Sequence, residues 1–432
     1  MRRFGLLFIV MFLQFAIWGA WLPIAQTYFQ GPVPAGLGLN GHQLGILFAL
    51  MPACSIIMSP IFGQLADRVF HPERLMAVLH LLSGVSLLAL AKQTTFVGTF
   101  ICLLSHCIIF SPTVSLSTTV ALHHLDDPAK QFGNIRVAGT IGWMVAGWIL
   151  FAIRSNGSLH IAGDLFVVAA ILSFLLGFCC FLLRKTPPSK EDSSRYAFGK
   201  ALKLFNNTNF MMLMVIAFVI CTQFDFFYMF TPGYLTSPTA ETLRNALPDS
   251  YLAQGGGGLG VPAKQVPFIM SLAQLSEIVM MILLPFLIRS IGYKWTIFMG
   301  IVAWVLRFAI YVFFASFAAT IASIMLHGFC IACFLIAGSL YVAEVAPNDI
   351  RASAQALYSM VTFGFGRVIG AILGGYIETV NTIALPVHIG IPGFTDLDKL
   401  VNWQGVFAIP TGMTFVCALA FPFLFRPKKD IK

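Results

Sequence analysis

Five ionisable side chains stand inside long apolar stretches of this sequence. Asp225 and Glu277 are acids, and Arg136, Arg307 and Arg367 are bases. A charge at the centre of a bilayer costs about 2.5–3.5 kcal/mol on insertion scales, so such groups pair, reach water or carry out a function. A carboxyl in that setting can load a proton while facing one side of a membrane and release it while facing the other. The energy available is substantial. One pH unit supplies about 1.36 kcal/mol, and about 100 mV supplies about 2.3 kcal/mol per charge moved.

Spacing adds partners to these charges. Gln274 and Glu277 are three residues apart, as are Asp225 and Tyr228, so each pair shares one helix face. Gln14, Trp18 and Trp21 follow an i, i+4, i+7 pattern, and Arg136, Thr140 and Trp143 repeat it. Together they offer amides, carboxylates and flat aromatic faces. A planar polar solute such as a nucleobase or nucleoside could stack and hydrogen-bond there, and a sugar could lie over an indole. Glu277 is the first candidate for the proton carrier and Asp225 the second. Gln14, Trp18, Arg136, Thr140, Trp143, Tyr228 and Gln274 are the candidate substrate contacts, and Arg307 and Arg367 the candidate ion-pair partners.

Plainer readings accompany each of these. Glu277 could pair with Arg307 or Arg367, Asp225 could reach water from the outer end of its helix, and Arg136 could snorkel to headgroups. Gln14 and Gln274 could tie helices together, and the lone His106 and His327 could simply pack. Nine cysteines, an odd number, all lie in apolar segments. Cys330 and Cys333 have redox or metal spacing, but no second pair accompanies them. There is no His-Glu-x-x-His helix, no Gly-x-Ser-x-Gly elbow and no Walker loop, so neither an enzyme nor a cofactor or metal is expected.

The elements that hold these residues follow from composition. Of 432 residues, 58% are hydrophobic and only 10% charged. Mean hydropathy is +0.86. An ordinary soluble domain carries about 25% charged residues, so this chain cannot coat a water-facing surface. The apolar runs imply an all-α membrane protein with twelve spans: 5–27, 43–62, 75–92, 96–121, 136–153, 163–184, 209–231, 266–288, 295–315, 318–345, 352–377 and 403–425. The run after Arg2 and Arg3 is too long for a signal peptide and reads as span 1. A polar stretch at 185–206 divides two six-helix halves, 1–184 and 207–432, as in a duplicated transporter. In the outer loop 232–265, Gly255 to Gly258 read as a flexible tether.

Charge placement sets the orientation. With the N-terminus inside, Lys92, Arg154, Arg244, Lys264 and Lys399 fall outside, Arg307 and Arg367 lie within spans, and the other 19 of 26 Lys and Arg are cytoplasmic. That asymmetry puts both termini in the cytoplasm. It also accounts for the formal charge of +9 without nucleic acid.

Two sets of residues resemble a known family. Gly63-Gln64-Leu65-Ala66-Asp67-Arg68, followed by Glu73-Arg74, resembles the signature loop of the major facilitator superfamily, where Asp67 would brace a neighbouring helix end. Phe12 to Leu22, Ile135 to Trp143, Met270 to Glu277, Ile301 to Phe308, and Ile350 to Ala356 running on to Gly364-Phe365-Gly366 resemble helices of the nucleoside:proton symporters. The resemblance implies a 6+6 helical fold and nucleoside uptake with protons by alternating access. It also implies that Arg136, Thr140, Trp143, Gln274 and Glu277 line the pathway, that the partners are a small solute, protons and lipid, and that the carrier is a monomer in the inner membrane. The family's span-10 acid aligns here with Ala332, and its span-7 amides lie near Asp225 and Tyr228. One acid has thus moved between spans on this reading, which leaves sugar uptake, drug antiport or a non-transporting sensor as alternatives.

Overall fold

The computed structural model describes residues 2–125, 128–156, 163–185, 202–248, 256–347, 350–391 and 394–426. The signature-loop side chains Asp67 and Arg68 and linker residues 186–201 lie outside the described set. Among the described residues, eleven helices are long and apolar enough to cross a membrane. The longest, Ala263–Phe313, is two spans, because Gly292 breaks it with φ 75° and ψ 169°. Only glycine takes that φ without strain.

Twelve spans result. Spans 1 to 6 are Phe4–Phe29, Gly41–Ala66, Pro72–Leu90, Phe96–His124, Gln131–Ser155 and Asp164–Phe181. Span 7 is Thr208–Thr236, and spans 8 and 9 lie on either side of Gly292. Spans 10 to 12 are Phe317–Val345, Ser353–Val380 and Trp403–Leu424. Side chains of Asn40, Thr95, Asn207, Ser316 and Asn402 accept backbone N–H bonds at helix starts, which satisfies donors that no helical partner reaches. Outward-facing Leu182, Ile282, Phe286 and Phe313 are each more than half exposed. In water such surface would aggregate, whereas in lipid it is solvated.

The chain divides into two compact units, Met1–Glu191 with Pro262–Ser271, and Asp192–Val261 with Leu272–Lys432. In the first, span 1 packs most extensively on span 5. Glycines allow it: a Cβ at Gly142 would overlap the Phe12 carbonyl, and one at Gly19 would overlap Trp143. In the second, the run Gly366, Gly370, Gly374 of span 11 lies against Cys221, Thr222, Phe226 and Phe230 of span 7. This is the small-residue contact that brings helix backbones together in lipid.

Four features add to the sequence reading. Span 7 is interrupted between Cys221 and Phe224, so Asp225 sits in the first turn of a second helical piece. Residues Phe329–Ile336 and Met360–Gly366 form π-helical turns within spans 10 and 11. An antiparallel hairpin, β1 (Thr382–Ile391) and β2 (Phe394–Val401), joins spans 11 and 12. The glycine run is ordered where it is described. Gly258 N–H donates to Pro238 O at 2.7 Å, and Gly256 and Gly257 have φ of 145° and 102°. Gly256 and Gly257 supply backbone angles that other residues avoid, and at Gly258 the segment is hydrogen-bonded to residue 238.

Gly370→Ala tests the contact between spans 7 and 11. Its Cβ would overlap the Thr222 carbonyl, whereas nothing lies within 4 Å of a Cβ at Gly412. Gly370→Ala is expected to destabilise the protein by about 1–3 kcal/mol, and Gly412→Ala to leave it unchanged, in thermal unfolding in detergent. Equal effects would count against this packing.

Candidate functional site

In the first unit the candidates gather around a polar network. Gln14 is 1% exposed. Its Nε2 donates to Thr113 Oγ1 at 2.9 Å, and its Oε1 lies 2.9 Å from His80 Nε2. Ser173 Oγ donates to the His80 carbonyl at 2.8 Å, and Ser83 Oγ lies 2.9 Å from His106 Nδ1. Gln14 thus ties spans 1, 3 and 4, with both ends of its amide engaged. His80 was not singled out in the sequence. Its signal was an imidazole in the middle of an apolar span, and its partner lies 66 residues away.

The aromatic candidates come together beside this network. Trp18 and Trp143 rings are 5.5 Å apart at 55°, and Trp18 also meets Phe110 edge-on at 6.3 Å. Thr140, one turn before Trp143, is buried. Arg136 places its guanidinium carbon 4.2 Å from the centre of the Phe15 ring, a cation–π contact between spans 5 and 1. At the far end of span 5, Arg154 grips Asp164 with two bonds of 2.7 and 2.8 Å. Asp164, at the start of span 6, therefore has an arginine partner.

The second unit holds Asp225, Glu277, Arg307 and Arg367. Asp225 is fully buried. Arg367 Nε and Nη2 donate to its two carboxylate oxygens at 3.0 and 2.6 Å. The planar guanidinium matches a carboxylate in this bidentate form. The first-turn position of Asp225 adds the favourable end of a helix dipole, and Arg367 lies 4.6 Å from the Phe224 ring centre. Asp225 is thus ion-paired and does not reach water.

Glu277 lies elsewhere in the same unit. Its Oε2 is 3.9 Å from His327 Nε2, and its side chain is 18% exposed. Gln274, one turn before it, is buried, and its Oε1 has no hydrogen-bond partner. Tyr228 is buried against Phe224, Phe227 and His327. Arg307 is completely buried with its guanidinium carbon 3.6 Å from the Phe227 ring centre and 5.4 Å from that of Trp304. Among the described residues no ion pair joins Arg307 to a carboxylate, and aromatic faces surround its charge instead. Ala332, aligned with the family's acid, is buried in the π-helical turn of span 10.

The sequence profile of the "Nucleoside H+ symporter" family matches residues 1–430. This chain belongs to that family. It is 26% identical to the nucleoside permease NupG of Escherichia coli (strain K12), covering 97% of this chain and 95% of that protein. It is also 26% identical to the xanthosine permease of Escherichia coli (strain K12), over 98% and 96%. The crystal structure of NupG superposes with a TM-score of 0.79 at 25% identity, covering 99% of this chain and all of that one. The chain is therefore a proton-coupled nucleoside symporter of the major facilitator type, not an enzyme. It is a multi-pass protein of the inner membrane.

The Asp225–Arg367 pair sets a stability test. Removing one buried partner strands the other, at a cost of about 3–5 kcal/mol, whereas removing both leaves no stranded charge. Asp225→Asn is expected to lower stability by that amount, and Asp225→Asn with Arg367→Met to recover more than half of it in chemical unfolding. Additive losses would contradict the pairing.

Proposed function

We propose that Glu277 carries the coupling proton and that Gln274, one helical turn away, binds the nucleoside. The observation that carries this reading is the Gln274 carbonyl oxygen, buried and without a hydrogen-bond partner. Such an acceptor is costly unless a donor arrives, and a nucleobase N–H or a ribose O–H supplies one. Glu277 shares that helix face and retains some exposure, so proton occupancy and substrate occupancy can influence each other.

Asp225 is the weaker proton candidate, because Arg367 already engages both of its oxygens. Trp18, Trp143 and Tyr228 are assigned stacking faces, and Thr140 and Arg136 polar contacts, with Gln14 acting through the network that holds span 1. The excess of Lys and Arg on one side supports cytoplasmic termini.

Labelled uridine uptake into cells lacking their own carriers tests the coupling. Uptake is expected to fall about tenfold when a protonophore removes a one-unit pH gradient, and uptake indifferent to the protonophore would reject symport. Glu277→Gln is expected to abolish accumulation while substrate exchange persists. Full accumulation by that variant would remove Glu277 from the role.

A further inference from the structure

His327 occupies a position that neither the sequence motifs nor family membership assigns. It lies in span 10, is 2% exposed, and places Nε2 3.9 Å from Oε2 of Glu277 in span 8. The two residues face each other because their helices are joined at the neighbouring positions. Gly328 N–H donates to Ser276 Oγ at 2.8 Å, and a Cβ at Gly328 would overlap the Ser276 carbonyl. Backbone contact at residues 276 and 328 thus holds 277 opposite 327.

The ring is also held on its faces. It stacks on Phe227 at 5.3 Å and 22°, and Tyr228 meets it edge-on at 6.1 Å. Its Nδ1 is buried with no hydrogen-bond partner, so no acceptor fixes the tautomer. A buried imidazole is ordinarily satisfied at both nitrogens, and its role as a proton shuttle depends on which nitrogen is protonated. The helix turns π-helical at Phe329, two residues further on, a distortion frequent at functional sites. Among the described residues, Glu277 of span 8 faces Nε2, Tyr228 of span 7 meets the ring edge-on, and the Arg307 charge of span 9 acts on it from across Phe227. The Asp225–Arg367 pair lies in the same electrostatic environment through Tyr228.

We infer that the transported proton is shared by Glu277 and His327, so that the coupling site is a carboxyl–imidazole pair. The inference rests on Glu277 as proton carrier. A side-chain rotation that shortens the present 3.9 Å separation to hydrogen-bond length allows the transfer. The carboxylic O–H bond breaks, an N–H bond forms at Nε2, and a carboxylate faces an imidazolium. The reverse step restores both neutral groups. Only the proton moves, and no further reactant is needed.

The test uses the full-length protein in proteoliposomes, with labelled uridine counterflow at equal pH and proton-driven uptake measured side by side. His327→Gln keeps a polar side chain but cannot carry the proton. It is expected to show counterflow yet to lose about tenfold accumulation under a one-unit pH gradient, and its uptake is expected to lose one ionisation from its pH profile. His327→Gln with wild-type accumulation and pH profile would overturn the inference while leaving Glu277→Gln to decide the carrier itself. If His327→Gln also loses counterflow, the histidine nitrogen spectrum of the wild-type protein decides. A ring whose signals shift between about pH 5 and 8, and do so differently in Glu277→Gln, supports sharing. A ring unchanged throughout overturns it.

Discussion

Charge buried away from water constrains everything in the second unit. Asp225 and Arg367 neutralise each other through two short bonds in a region with almost no solvent. That geometry requires spans 7 and 11 to lie close together. Gly366, Gly370 and Gly374 make the approach possible, and the break before Phe224 turns Asp225 into a helix-start residue. One electrostatic requirement therefore accounts for a glycine stripe, a helix interruption and the position of an arginine.

The two units handle polarity differently. In the first, Gln14, His80 and Thr113 are joined by hydrogen bonds beside Trp18 and Trp143. Such a network orients aromatic faces. The second contains Asp225, Glu277, Arg307 and Arg367. Asp225 is committed to Arg367, whereas Glu277 lies 3.9 Å from His327 and keeps some exposure, which is why the proton is proposed to reside there. Arg307 sits among aromatic rings, which offset part of its burial by cation–π attraction.

Much of this was legible in the sequence, for identifiable reasons. The spans could be read because twenty-odd consecutive apolar residues permit little else. The glycine run in span 11 could be read because its period is helical. The family was legible because its motifs fall in both halves. Partnerships were not, because Asp225 and Arg367 are 142 residues apart and Gln14 and Thr113 are 99 apart. Periodicity reports which face a residue occupies and not what meets it. His327 read as packing for that reason, and only the crossing at Ser276 and Gly328 reveals its neighbour. The hairpin escaped because loop residues follow no period.

The central claim is that Glu277 moves a proton with each nucleoside. Proteoliposomes loaded with a pH-sensitive dye test it directly. Adding uridine outside should acidify the lumen for the unmodified protein and leave it unchanged for Glu277→Gln. Equal acidification in both, or none with the unmodified protein, would contradict the account.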